Sequence, residues 1–130
     1  MELEIKNYIR NIKDFPKPGI VFRDITTMLK EPISLNYTLN KLIELTNGIK
    51  IDKVAAIEAR GFIFGSLLAQ KLNAGFIPIR KPGKLPAETI SQTYSLEYGE
   101  DSIEIHKDAI AKGENVLLHD DLLATGGTAK

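Results

Sequence analysis

Residues 116–128 place the tightest constraint on the fold. Val116, Leu117 and Leu118 form an apolar, β-prone run between Gly113-Glu114-Asn115 and His119; Asp120 and Asp121 follow, and Thr125-Gly126-Gly127-Thr128 ends the segment. Such a run suits a buried strand of a parallel sheet. In open α/β sheets ligands bind at the carboxyl ends of the strands, so two acids there are placed to meet one. Ionised carboxylates only accept hydrogen bonds, and an adjacent pair can take them from a vicinal diol or hold a hydrated Mg²⁺. A bare phosphate is repelled by them and fits one step further on. There Thr125, Gly126, Gly127 and Thr128 offer backbone N–H groups, two hydroxyls and no bulk. The spacing is not Gly-x-x-x-x-Gly-Lys-Ser/Thr, the phosphate loop of nucleotide triphosphatases. A surface turn with two solvated acids competes for the same residues.

The rest of the chain supplies the partners such a strand needs. Ile5, Tyr8, Ile9 and Ile12 recur at helical spacing and predict a first amphipathic helix ending before Pro16 and Pro18. Pro16, Pro18 and Gly19 then predict an ordered loop carrying Val21, Phe22 and Arg23. A second helix is expected over residues 34–46, with Leu35, Leu39, Leu42 and Ile43 inward and Asn47-Gly48 as its stop. Residues 54–57 read as a buried strand, residues 62–72 as a helix and residues 75–79 as the next strand. That order indicates a parallel crossover. Lys81-Pro82-Gly83-Lys84-Leu85-Pro86 is a proline-punctuated basic loop, after which residues 89–96 carry β character. Residues 102–106 alternate polar and apolar and should pair back on them. The excursion over residues 80–99 is long enough for a functional lid.

Four segments now carry a resemblance. Asp120-Asp121-Leu122-Leu123-Ala124-Thr125-Gly126-Gly127-Thr128 resembles the phosphoribosyl-pyrophosphate (PRPP) signature of the type I phosphoribosyltransferase family, in the form borne by its adenine-specific members. Phe15-Pro16-Lys17-Pro18-Gly19-Ile20-Val21-Phe22-Arg23-Asp24-Ile25, Glu58-Ala59-Arg60-Gly61-Phe62-Ile63-Phe64-Gly65 and Tyr94-Ser95-Leu96-Glu97-Tyr98-Gly99 resemble the same members, in the same order.

The resemblance implies an α/β fold, a mostly parallel twisted sheet flanked by helices, with an N-terminal base-binding hood and a flexible lid, all in one domain over residues 1–130. It implies purine salvage: transfer of the 5-phosphoribosyl group from PRPP to adenine, giving AMP and pyrophosphate. Family members continue past the Gly-Gly-Thr turn with a helix and further strands, so the domain is expected to be incomplete at its C-terminus. A phosphate site without that helix would lose its dipole and its packing. Competing with catalysis is a PRPP-binding regulatory protein or an inactive truncated relative of the same fold.

Roles carry over by position. Asp120 and Asp121 would bind the ribose, and Ala124, Thr125, Gly126, Gly127 and Thr128 the 5′-phosphate. Glu58, Ala59 and Arg60 would form the pyrophosphate loop, with a cis peptide between Glu58 and Ala59. A guanidinium beside free backbone N–H groups suits a diphosphate leaving group, although Arg60 read alone is equally a solvated turn residue. Arg80, Lys81 and Lys84 would neutralise PRPP phosphates, against the plain alternative of solvated charges. Phe22 would stack on adenine while Val21 and Arg23 contact its edge through backbone groups; a core anchor is the other reading of Phe22. Glu97 would manage a proton on the base and Tyr98 would close over the substrates, since an oxocarbenium-like state demands exclusion of water. The catalytic set implied is Glu97, Tyr98 and Arg60. Mg²⁺ would arrive mainly on PRPP, touching Asp120 or Asp121 through water. A cytoplasmic homodimer is implied.

Composition agrees. A zero formal net charge, with 26% charged residues, argues against nucleic-acid or anionic-membrane partners, which call for a basic footprint. No cysteine is present, which removes disulfides and thiolate metal sites and suits a reducing compartment. The N-terminal residues lack the pattern of a signal peptide, and no apolar stretch reaches membrane-spanning length. His119 occupies a strand position that points away from its neighbour Asp120, which favours packing or an interface over ligation. His106 is expected to be solvated.

Overall fold

The computed structural model describes residues 4–95 and 99–121. The chain divides into two compact units, Met1–Leu45 and Thr46–Lys130.

In the first unit the expected first helix does not form. Ile5–Tyr8 makes a single 3₁₀ turn, and Arg10–Lys13 is a strand, β1. It pairs antiparallel with β2, Val21–Asp24, in the register Arg10↔Asp24 and Ile12↔Phe22. The loop expected at Val21–Arg23 is therefore a strand too. The physical reason is that a short isolated helix is marginal in water, whereas the hairpin satisfies the same backbone groups across two strands. The prolines expected to end a helix lie instead in the hairpin's connection. That connection is closed by Gly19 N–H donating to Asp14 Oδ1 at 2.9 Å and Phe15 N–H to Ile20 O at 3.1 Å. The Phe15–Pro16 peptide is cis.

Asp24 then ties the hairpin to the first α-helix. Its Oδ2 accepts from Arg10 Nε at 3.0 Å and Nη2 at 2.6 Å. Its Oδ1 accepts the N–H of Thr26 at 2.9 Å and the Thr26 hydroxyl at 2.7 Å. A carboxylate that takes the first free N–H of a helix is an N-terminal cap in effect, and it opens α1, Thr26–Leu29. The second helix, α2, runs Pro32–Glu44, starting two residues before its expected position because Pro32 suits the first helical turn. It buries Leu39 and Ser34, the latter donating its hydroxyl to Met28 O at 2.7 Å.

The second unit holds the parallel sheet. Strands β3 (Lys53–Ile57), β4 (Gly75–Ile79) and β7 (Val116–His119) lie in the order β4-β3-β7, all parallel. Helix α3, Gly61–Lys71, makes the crossover from β3 to β4. Val54, Ala55, Ala56 and Ile57 are all buried, which is why they read as an unbroken apolar run rather than an alternating one. One face of the sheet meets α3. A Cβ on Gly65 would stand 2.5 Å from that of Ala56, so only glycine permits this approach of helix to strand. Ala55, Ile57, Ile77 and Ile79 face the other way and pack against Ile103 and Ile105 of a hairpin. That hairpin is β5 (Thr89–Ser95) with β6 (Glu100–His106), antiparallel as expected. It is stitched to the end of β4 by Arg80 N–H to Glu104 O at 3.0 Å and Glu104 N–H to Arg80 O at 2.7 Å. His106, expected to be solvated, is half-buried with its Nε2 shielded and without a hydrogen-bond partner. Pairing of β6 with β5 and the packing of the hairpin on the sheet cover it. No helix among the described residues is long and apolar enough to cross a membrane.

Candidate active site

The parallel sheet sends three chain segments out at one edge. From central β3 the chain leaves toward β4 through α3, while β7 lies on the opposite side of β3, so the carboxyl ends of all three strands share that edge. The crevice outside the carboxyl ends of such a sheet is where ligands bind. Glu58, Ala59 and Arg60 follow β3, Arg80 and Lys81 follow β4, and Asp120 and Asp121 follow β7.

These residues engage one another across the crevice. The Glu58–Ala59 peptide is cis, as the resemblance implied. Arg60 stands at the N-terminus of α3, its Nε 2.5 Å from Asp121 Oδ2. No aligned hydrogen bond reaches that buried oxygen, so the contact is one of charge. Glu58 Oε1 accepts the N–H of Lys81 at 2.6 Å and Arg80 Nε at 3.2 Å. The Lys81 ammonium reaches Asp101 Oδ2 on β6. Ile57, Glu58, Lys81, Tyr94, Ile103 and Asp120 line a cleft of about 140 Å³. Lys84 is exposed on the turn beyond, its N–H directed to Lys81 O at 3.4 Å.

Asp120 packs against the start of α3, and a Cβ on Gly61 would lie 3.3 Å from its Oδ1 and 3.2 Å from His119 O. The missing side chain lets the carboxylate approach the positive end of the helix. Burial nevertheless pushes the Asp120 carboxyl above its ordinary value; the Asp121 N–H donated to its Oδ1 at 2.8 Å opposes that, and the Asp121 carboxyl adds to it. His119 sits half-buried on β7 with Nε2 shielded, and burial lowers its imidazole pKa against the opposing pull of Asp121.

In the first unit, β2 carries the base-recognition candidates. Phe22 is half-buried, its ring edge-on to Phe15 with centroids 5.2 Å apart. Val21 is exposed, and Arg23 Nη1 donates to Asn11 Oδ1 at 2.5 Å. Glu97, Tyr98 and the phosphate-turn residues Ala124, Thr125, Gly126, Gly127 and Thr128 lie outside the described residues.

Sequence reasoning missed Asp101, and it held Tyr94 only as the first residue of a lid-like segment, without a partner. A signal was available: positions 101, 103 and 105 share one face of β6, and two of the three are isoleucines packed on the core. An acid continuing an inward-facing row needs a buried or charged partner, which here is Lys81. Asp24 was missed for a similar reason, since its partners Arg10 and Thr26 meet it only once the hairpin has formed.

A parallel sheet with charged turns at its carboxyl edge is the framework of a phosphoribosyltransferase, and a model of the phosphoribosyl transferase domain matches residues 28–130. The adenine phosphoribosyltransferase of Maridesulfovibrio salexigens is 62% identical over 128 residues, covering 98% of this chain and 75% of that protein. The crystal structure of adenine phosphoribosyltransferase from Thermoanaerobacter pseudethanolicus matches with a TM-score of 0.93 at 58% identity, covering 96% of this chain and 73% of that one. The Saccharomyces cerevisiae enzyme, complexed with an imino-altritol bisphosphate and adenine, matches with a TM-score of 0.89 at 41% identity, covering 96% and 73%. The chain belongs to the phosphoribosyl transferase domain family and, within it, with the adenine phosphoribosyltransferases.

Proposed function

We propose that this chain transfers the 5-phosphoribosyl group from PRPP to adenine, releasing AMP and pyrophosphate in purine salvage. The observation that carries the reading is the pairing of Arg60 with Asp121 across the β3–β7 crevice. It sets a cation suited to a diphosphate beside an acid suited to a diol, as a ribose bearing a diphosphate would require. The bacterial and yeast relatives support the choice of adenine.

The leaving group develops negative charge as its bond to the anomeric carbon breaks. Arg60, Arg80, Lys81 and Lys84 would neutralise it as the charge develops. Asp120 and Asp121 would accept hydrogen bonds from the ribose hydroxyls. Burial already disfavours the ionised form of Asp120, so a diol donor or a hydrated cation would relieve that cost. Phe22 would stack on the base while Val21 and Arg23 hold its edge through the backbone. Glu97 would exchange the proton on the purine, Tyr98 would cover the reacting centre, and Ala124 with Thr125–Thr128 would hold the 5′-phosphate.

Mg²⁺ fits as a group carried by substrate. Asp120 and Asp121 offer the one or two carboxylates that a largely hydrated Mg²⁺ accepts beside phosphate oxygens. The ion would supply charge neutralisation to the diphosphate. We assign a cytoplasmic location, which suits the cysteine-free sequence, and a homodimer on the family resemblance alone.

Incubation with adenine, PRPP and Mg²⁺, with AMP and pyrophosphate read by chromatography, tests the proposal. Stoichiometric formation of both is expected. A folded protein that binds PRPP without turnover would instead be the regulatory binder, and preference for hypoxanthine over adenine in competition would overturn the base assignment.

A further inference from the structure

Lys81 is held from two sides. Its backbone N–H donates to Glu58 on the turn after β3, while its ammonium is bound by Asp101 on β6. Tyr94 lies directly opposite Asp101 in the hairpin register and donates its hydroxyl to the same carboxylate oxygen at 3.4 Å. Lys81 and Tyr94 both line the cleft that Glu58 and Asp120 also line. The hairpin thus places an anion on a cation that stands where the diphosphate is expected.

The pair is one that can be exchanged. The Lys81 and Asp101 side chains retain 45% and 30% of their exposure, and a partly exposed single ion pair contributes little. Both groups stay charged at neutral pH. The hydrogen bond from Lys81, then the N–H of Ser102, hold the Asp101 carboxyl below its usual range, and Asp101 in turn holds the ammonium above its own. A diphosphate carries several charges and many acceptor oxygens, so it competes well with one carboxylate for the same ammonium.

We propose that Asp101 is a positioning residue that occupies Lys81 in place of the diphosphate, holding the ammonium at the cleft and yielding it when the anion arrives. The inference rests on the reading of this cleft as the diphosphate site. Its consequence is that Asp101 sets the affinity for the diphosphate by competing with it.

Calorimetric titration with inorganic pyrophosphate and Mg²⁺, alongside steady-state kinetics in PRPP, tests this on the full chain. Asp101→Asn, and Asp101→Ser as a second removal of the charge, should each tighten pyrophosphate binding about two- to fivefold, the range of one partly exposed ion pair. KM for PRPP should fall in parallel. Asp101→Glu should restore affinity toward the parent value. Ser102→Ala, which removes a hairpin hydrogen bond to Thr93 that does not involve Lys81, should leave affinity unchanged. In a Lys81→Gln background the gain from Asp101→Asn should vanish. An unchanged or weaker affinity in both charge-removing variants overturns the inference, as does a gain that persists without Lys81. A parent protein that binds no pyrophosphate and makes no AMP overturns the assigned function as well, whereas a parent that does both isolates the failure to Asp101.

Discussion

Two antiparallel hairpins in this chain were built on different terms. In β5–β6, Ile103 and Ile105 are packed against the apolar face of β3 and β4, so the strand alternates visibly and its partner is easy to find. In β1–β2 the covered positions are few: Ile12, Phe22 and Asp24 are the only ones shielded on either strand. Its register is marked by an ion pair and an aromatic contact rather than by an apolar row. A strand reveals itself in sequence when one of its faces is buried on a core, and a hairpin held by polar pairs does not.

That contrast can be broken by mutation. The largest effect is expected in β6, where Ile105→Ala removes buried methyl groups from the sheet's core. A loss of about 2 kcal/mol, at the lower end for such changes because Ile105 is only partly buried, should appear as a lower urea midpoint. A loss near zero would mean that the hairpin is not seated on the sheet through Ile105.

Next is Phe22→Ala on β2, which tests function more than stability. Base–aromatic stacking contributes about 1–3 kcal/mol, so KM for adenine should rise about tenfold while KM for PRPP stays near its parent value. Phe22→Leu keeps apolar bulk against Phe15 without a stacking face and should show most of the same rise. Equal increases for both substrates would point to disruption of the hairpin instead.

The smallest effect concerns Asp24. Hydrogen bonds from the Thr26 hydroxyl and N–H, then Arg10, hold its carboxyl down to about 2 from 3.8. Because the folded value lies below the unfolded one, the stability it supplies is complete above about pH 4 and is lost as pH falls toward 2. Urea midpoints measured from pH 5 to pH 2 should therefore decline, and Asp24→Asn should flatten that decline while lowering the plateau at pH 5. A slope unchanged in the variant would assign acid sensitivity to other carboxylates.

Much of the second unit could be read directly. Residues 75–79 were expected as a strand and are one, and the strands at 54–57 and 116–118 each gained a residue. Buried parallel strands leave continuous apolar runs, and glycines mark where helices must stop or approach closely. Arg60, Asp120 and Asp121 stood out as candidates because they directly follow such strands, although only the family resemblance set them apart from solvated turn residues. The partners were not legible. Nothing in the order of residues says that Lys81 meets Asp101, twenty positions away, or that Arg60 meets Asp121, sixty-one positions away. Those contacts depend on register and on how the hairpin sits on the sheet.

By itself the sequence determined the strand–helix–strand framework, the polarity of its carboxyl edge and the family to which these motifs belong. Short-range periodicity and turn chemistry are local, and they survive in a linear string. Tertiary structure decided that the first periodic segment pairs as a strand, that Gly61 admits Asp120 to the start of α3, and that Lys81 already has a carboxylate on it. The reason is the same in each case: long-range pairing satisfies backbone groups and charges that local structure would leave open.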